Sequence, residues 1–363
     1  MKKFLCKILV FVLPVVLFFS LPYVILKVSG EMSDLSRVTV GRHHLLGLAY
    51  SEQSKDYKLG EILSRRPDIL AVGTSRVLQI RDFFFKEPRA FFNGGRLISR
   101  IGDLPCLIDE WNKNTYKPKV LILGLDQYFF NENWDNLKKG CEYNSEVSEL
   151  NMLSKSSLDI YTDLMDGKIQ IKSITESDNR YGITAMMNNA GYRTDDGSYY
   201  YGKIIHDFKS GIKISFRDVE KRIKSGRHRF EWGAEVNDDA ISILKSFVDY
   251  CKNNGIELVM FVPPYPTAIY NRMVESGKYR YMLKLDSTFS ANNLRVHNFI
   301  SLETIGSNDN EAVDGLHGSE VAYLRLIQEL CKRETWFGKY IDYEQFKLLD
   351  SPVNPLELKE EKY

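Results

Sequence analysis

Little in this sequence is one-sided. Lysine and arginine number 49 against 48 aspartates and glutamates, a formal charge of +1. No face or block is strongly basic, which removes the electrostatic footprint of a nucleic-acid partner. Cysteine is scarce, five residues in 363. With no CxxC pair and no metal-type spacing, neither a zinc site nor a disulfide-dense scaffold is indicated. Nothing in the pattern calls for a metal or an organic cofactor. Apolar runs long enough to cross a bilayer are absent too, with one exception at the N-terminus.

That exception covers residues 8–26, 19 positions without a charge, broken only by Pro14, Ser20 and Pro22. At ~1.5 Å per helical residue it just reaches across a hydrocarbon core of about 30 Å. Lys2, Lys3 and Lys7 precede it, so the positive-inside rule keeps the short tip in the cytoplasm and puts the remainder outside. A cleaved signal peptide is the alternative. The run is long for one, and no small-x-small site follows before Gly30. Cys6 stands ahead of the run, not at a lipoprotein position. The reading is an uncleaved transmembrane signal-anchor over residues 1–30, an extracytoplasmic domain over 31–350 and a flexible polar tail over 351–363. Cys106, Cys141, Cys251 and Cys331 then meet an oxidising compartment in which disulfides form. Cys251, on the apolar stripe of a helix, reads as a buried thiol.

A chain of this length buries a full core. From Asp68 short apolar runs alternate with helical patterns, the signature of βαβ units and a parallel sheet. Ile69-Leu70-Ala71-Val72 predicts a strand, as do Ala90-Phe91-Phe92, Val120-Leu121-Ile122-Leu123, residues 256–262 and residues 296–300. Helical patterns cover 97–111, 237–254 and 319–332. In the second, Asn237 is a candidate N-cap, Ile241, Leu244, Phe247, Val248 and Cys251 form the apolar stripe, and Gly255 ends the run. Residues 132–235 break the rhythm with Gly, Asn and Asp clusters and read as an insertion carried on the sheet, with some helix over 153–165. Within it, residues 191–202 are rich in tyrosine and hold an Asp196-Gly197 turn. A β-hairpin with aromatic cross-strand pairs is one reading, and a sugar-stacking wall is the other.

Polar, reactive-type residues stand where these strands end, the place where α/β sheets build their sites. Gly73-Thr74-Ser75-Arg76 follows the first strand, Asn93-Gly94-Gly95 the second, and Gly124-Leu125-Asp126-Gln127 the third, while Asp314-Gly315-Leu316-His317 leads into the last helix. Ser75 is either a helix cap or a nucleophile delivered to the carboxyl end of the sheet. It lies outside the GxSxG elbow of the α/β-hydrolases. Among six histidines, only His317 has a carboxylate three residues earlier in a loop entering a helix. Asp314 there either caps the helix or orients the imidazole for Ser75. Arg76 is either a surface ion-pair partner, a mate for Asp126, or a clamp on a substrate carboxylate.

These segments together resemble the SGNH (GDSL-like) hydrolase superfamily. Gly73-Thr74-Ser75-Arg76 is similar to its first block, Asn93-Gly94-Gly95 to its second, and Asp314-Gly315-Leu316-His317 to its D-x-x-H block. In the third block Asp126 stands where the family carries asparagine, and Gln127 or Asn131 is the substitute donor. The resemblance spans about 68–130 and 240–335. With the N-terminal anchor it is nearest to the membrane-anchored bacterial branch related to polysaccharide O-acetyltransferases and the D-alanine transfer protein of teichoic acids.

The resemblance implies a three-layer α/β/α, flavodoxin-like fold with a parallel central sheet. It also implies a Ser75–His317–Asp314 triad and oxyanion contacts drawn from Gly94, Gly95, Asp126 and Gln127. Arg76 and Asn131 become candidate substrate contacts. The implied partners are a polysaccharide acceptor and an integral membrane acyltransferase, with neither cofactor nor metal. The expected function is acyl transfer or acetyl-ester hydrolysis on a cell-surface or exported polysaccharide. The alternative is a non-catalytic accessory of a polysaccharide synthesis or export complex, binding glycan or the membrane acyltransferase.

Overall fold

The computed structural model describes the chain except residues 1, 34, 36–43, 52–53, 135–136, 138–147, 177–178 and 362. Cys141 lies outside the described residues. The apolar N-terminal run forms helix α1 (Lys2–Val28). Its segment Val10–Val28, with mean hydropathy 2.2, is long and apolar enough to cross a membrane. One side of α1 near its C-terminal end also touches protein, while most of the segment stays exposed. Ile25 and Leu26 are buried with Met152 and Ile160. Tyr161 donates its hydroxyl proton to the Phe18 carbonyl at 2.8 Å, and Lys27 pairs with Glu149 at 2.5 Å.

Strands numbered along the chain are β1 (Leu45–Leu46), β2 (Ile69–Gly73), β3 (Phe91–Gly95), β4 (Val120–Gly124), β5 (Arg180–Tyr181), β6 (Ala190–Arg193), β7 (Tyr199–Tyr201), β8 (Glu257–Val262) and β9 (Val296–Asn298). Five of them make an all-parallel sheet in the order β3-β2-β4-β8-β9. Side chains alternate across it. Leu70, Val72, Leu121 and Leu123 share one core with Leu104, Trp111, Leu244 and Phe247, while Ile69, Ala71, Val120 and Ile122 share the other with Val321, Leu324 and Ile327. Burial on both faces explains why these strands read as continuous apolar runs. The protein is thus mixed α/β. The order reverses direction between β2 and β4, and such a switch point opens a crevice at the carboxyl ends of the strands.

Helix boundaries follow local chemistry. Asn237 Oδ1 accepts from the Ala240 amide at 3.1 Å and starts the helix Asp238–Asn253, which Gly255 ends at φ +68°. Ser319 caps Glu320–Arg333 in the same way. Cys251 is a buried free thiol, as is Cys331, and Cys106 is disulfide-bonded. Two expectations shift by a few residues. The second strand continues through Asn93, Gly94 and Gly95, with Gly94 opposite Val72. The pattern over 97–111 becomes helical only at Leu104, where Pro105 sits in the first turn and presets the backbone.

The insertion folds as a second sheet, β5-β1-β6-β7, sewn to the approach segment through β1. Its tyrosine-rich patch is the hairpin β6–β7, pairing Tyr192 with Tyr199 across the strands. The C-terminal tail departs from the flexible segment expected from its polar composition. Leu356, Glu357 and Leu358 are buried, and Glu361 accepts from both Arg81 and Arg193 at 2.7 Å. The same two arginines share Glu320 at 2.6 Å each, and Arg81 also holds Asp196 at 2.8 Å. Polarity in the tail therefore serves an internal ionic cluster that no local pattern reveals. Removing one partner from such a cluster leaves an uncompensated buried charge. Glu320→Gln is expected to destabilise the fold by about 3 kcal/mol, read as a fall in the urea midpoint at unchanged slope.

Candidate active site

Ser75 begins a 3₁₀ turn, Ser75–Val77, directly after β2. The bend is tight: a Cβ added at Gly73 would stand 2.6 Å from Val77 Cγ1. Thr74 Oγ1 accepts from the Arg76 amide at 3.2 Å and holds the turn. Ser75 Oγ is thereby presented at the carboxyl end of the sheet, where His317 Nε2 stands 2.8 Å from it. Asp314 lies behind the imidazole, its two oxygens 2.9 and 2.8 Å from Nδ1. Asp314 Oδ1 also accepts from the amides of Leu316 and His317 at 2.7 and 2.9 Å. The carboxylate places the proton on Nδ1, leaving Nε2 to accept from the serine hydroxyl. Desolvation works against the charged form of Asp314. The adjacent imidazole and the two backbone amides outweigh it and draw the carboxyl down to about 2.

Arg76 turns inward. It is buried, and Nη1 donates to Asp126 Oδ1 at 2.7 Å and to Gln127 Oε1 at 2.6 Å, while Nη2 donates to the Pro263 carbonyl at 2.6 Å. Its guanidinium carbon lies 4.0 Å from the centroid of the Tyr265 ring. Of the three roles open to Arg76, pairing with Asp126 is the one adopted. This also corrects the oxyanion assignment. Asp126 is bound to a cation, and Gln127 spends its amide on the Pro263 carbonyl at 3.0 Å. Asn131 likewise turns inward. It is fully buried, donates to the Glu231 carbonyl at 2.6 Å and accepts from the Asn133 amide at 3.0 Å, tying the end of the third block to the insertion. A polar residue after a strand satisfies buried backbone as readily as it binds ligand, and here burial decides the former.

The glycine block is arranged around a residue that the pattern placed in it without a role. Asn93 Nδ2 donates to the carbonyls of Val77 and Ile80, and its Oδ1 accepts from the Gly95 amide at 2.9 Å. Asn93 thus positions the segment following Ser75 and occupies the Gly95 donor. Gly94 remains in the β2–β3 ladder. Pro263 and Tyr265, after β8, complete the surroundings of Arg76. Their Pro-rich segment marked a strand end in sequence but carried no sign of this contact. The insertion supplies one wall, since Gln79 Nε2 donates to the Tyr199 carbonyl at 2.6 Å and the Tyr201 ring centre lies 6.1 Å from that of His317.

Among the described residues no group of three His, Cys, Asp or Glu side chains is placed to hold a metal. A separate cavity bordered by Lys168, Arg180, Asn189 and His206 contains none of Ser75, Asp314 or His317. No known family, curated protein or solved structure matches the chain.

Two outcomes are expected from this geometry. Arg76→Gln strands Asp126 in the interior and should cost about 3 kcal/mol of stability, whereas a surface substrate clamp would change KM at constant stability. The lowered pKa of Asp314 stabilises the fold at pH values above its unfolded pKa of about 3.9. That contribution is lost as pH falls through about 2. The stability difference between the protein and Asp314→Asn, measured by urea unfolding, should shrink as pH falls below about 4.

Proposed function

We propose that this protein is a membrane-anchored, extracytoplasmic serine acyl-transfer enzyme of SGNH-like, three-layer α/β/α architecture, an O-acetyltransferase or acetylesterase of a cell-surface or exported polysaccharide. The observation that carries the reading is the unbroken hydrogen-bond chain Ser75 Oγ–His317 Nε2 and His317 Nδ1–Asp314. In the proposed reaction Ser75 Oγ attacks the acyl carbonyl carbon while His317 Nε2 takes the hydroxyl proton. The tetrahedral oxyanion collapses, expelling the donor alcohol, which leaves with the proton from His317. A glycan hydroxyl or water, deprotonated by the same imidazole, then attacks the acyl-serine and restores Ser75. With Gly95 and Gln127 occupied and Gly94 held in the β2–β3 ladder, the oxyanion donor in this reading is the backbone amide of Ser75.

Further support comes from the anchor. The apolar helix α1 would hold the domain at a bacterial inner or cytoplasmic membrane, single-pass, with Lys2, Lys3 and Lys7 on the cytoplasmic side and the domain in the periplasm or outside the cell. There it would meet the polysaccharide acceptor and an integral membrane acyltransferase supplying the acyl group. The second reading, a non-catalytic accessory of a polysaccharide complex, is favoured by two observations: Asp126 takes the place of a donor, and the Gly95 amide is held by Asn93.

Full-length protein in neutral detergent separates the two readings. Fluorophosphonate labelling of wild type is expected and should be lost in Ser75→Ala. Turnover of a chromogenic acetyl ester should fall by roughly a hundredfold or more in Ser75→Ala and in His317→Ala. An unlabelled wild type with ester turnover equal to that of the variants would leave the accessory reading.

A further inference from the structure

We propose that Arg96 and Arg229, on either side of Ser75, form a recognition site for anionic groups, so that the polysaccharide laid across the serine carries carboxylates or phosphates. The inference rests on the reading of Ser75 as the reacting residue only for what is done to the bound chain. Its starting point is a contrast in pairing. Arg76, Arg81, Arg193 and Arg325 each hold a carboxylate at 2.6–3.0 Å. Arg96 and Arg229 are exposed and hold none among the described residues. A guanidinium presents a planar fork of donors suited to carboxylate or phosphate, and among the described residues neither fork is met by a carboxylate.

Their placement follows the strand order. Arg96 comes directly after β3, and its amide donates to the carbonyls of Gly73 and Thr74 at 2.9 and 3.2 Å, one residue from Ser75. Its Nη1 donates to the Tyr192 hydroxyl at 3.1 Å. From there an aromatic row runs Tyr192, Tyr199, Tyr201, His317, with successive ring centres 5.3, 4.8 and 6.1 Å apart. On the opposite flank, beyond β4, the Arg229 guanidinium carbon lies 5.6 Å from the ring centre of Tyr128. The Tyr128 hydroxyl is buried with no hydrogen-bond partner. Strands β3, β2 and β4 are adjacent, so the serine stands between the two cations.

Both arginines also carry backbone strain, as Arg66 does at φ +50°. Both sit at φ +73°, and His228 before Arg229 is at +59°. A bulky side chain is disfavoured in that region, and such residues persist where the surroundings over-determine them, commonly at ligand sites. Glycine would suit both positions better for folding alone.

The test is calorimetric titration of the full-length Ser75→Ala protein in neutral-detergent micelles with three probes: hexagalacturonate, a glycerol phosphate hexamer and neutral cellohexaose. At least one anionic probe should bind about tenfold or more tighter than cellohexaose, weakening as salt is raised. Arg96→Gln and Arg229→Gln should each weaken it about tenfold. Which anionic probe binds tighter distinguishes carboxylate from phosphate. Arg96→Gly, suited to its backbone, should melt no lower than the parent and still lose affinity. Equal binding of cellohexaose, binding by neither anionic probe, or unchanged affinity in both glutamine variants overturns the proposal. Because the assay needs no turnover, a protein that binds hexagalacturonate but resists the fluorophosphonate keeps the anion site and loses the enzymatic reading.

Discussion

The guanidinium of Arg76 ties together the ends of three neighbouring strands, and the geometry around Ser75 depends on it. It reaches from the turn after β2 to Asp126 and Gln127 after β4 and to the Pro263 carbonyl after β8. Parallel strands buried on both faces can expose polar groups only at their ends. The carboxyl ends of this sheet therefore bring together backbone carbonyls and side chains that need partners. One planar cation with five donors satisfies several of them at once, and does so one residue from the serine. Removing two charges from water is costly, and the extra hydrogen bonds offset that cost by fixing one arrangement of three loops.

A second arginine cluster does for the periphery what Arg76 does for the centre. Arg81 and Arg193 gather Asp196 from the hairpin turn, Glu320 from the last helix and Glu361 from the tail. The insertion is held against the face that bears Ser75 by these charges and by backbone bonds such as Tyr199 N to the Leu78 carbonyl at 3.0 Å. That docking brings Tyr199 and Tyr201 beside His317. A glutamate performs a related task at the anchor. Glu31, buried just after α1, accepts from the amides of Ala49, Tyr50, Ser51 and Ile183. The direction in which α1 leaves the domain is therefore set by hydrogen bonds in addition to apolar packing.

How much of this was legible in the sequence varied with the range of the interaction. The strands, the Asn237 and Ser319 caps and the Gly255 stop depend on residues within one or two turns, so local pattern carries them. Residues Asp314 and His317 are three apart in one loop, and that pair too is visible locally. The partnership of His317 with Ser75 bridges 242 positions, and local pattern offered it only as one of two roles for the Asp314–His317 pair. The inward roles of Arg76, Gln127 and Asn131 were not singled out by the sequence, for a common reason. A polar side chain beside a strand end looks the same in sequence whether it turns outward to ligand or inward to a carbonyl.

By itself the sequence determined an apolar N-terminal helix, an alternating α/β domain and the positions where strands stop, because hydrophobic periodicity and turn chemistry act over short spans. Tertiary structure alone decided which polar residues meet. It buried Arg76 on Asp126, spent the amides of Gln127 and Asn131 on backbone, folded a polar tail into an ionic cluster and, among the described residues, left Arg96 and Arg229 without carboxylates. Burial of charge is settled by what lies opposite in space, and a linear pattern does not specify that partner.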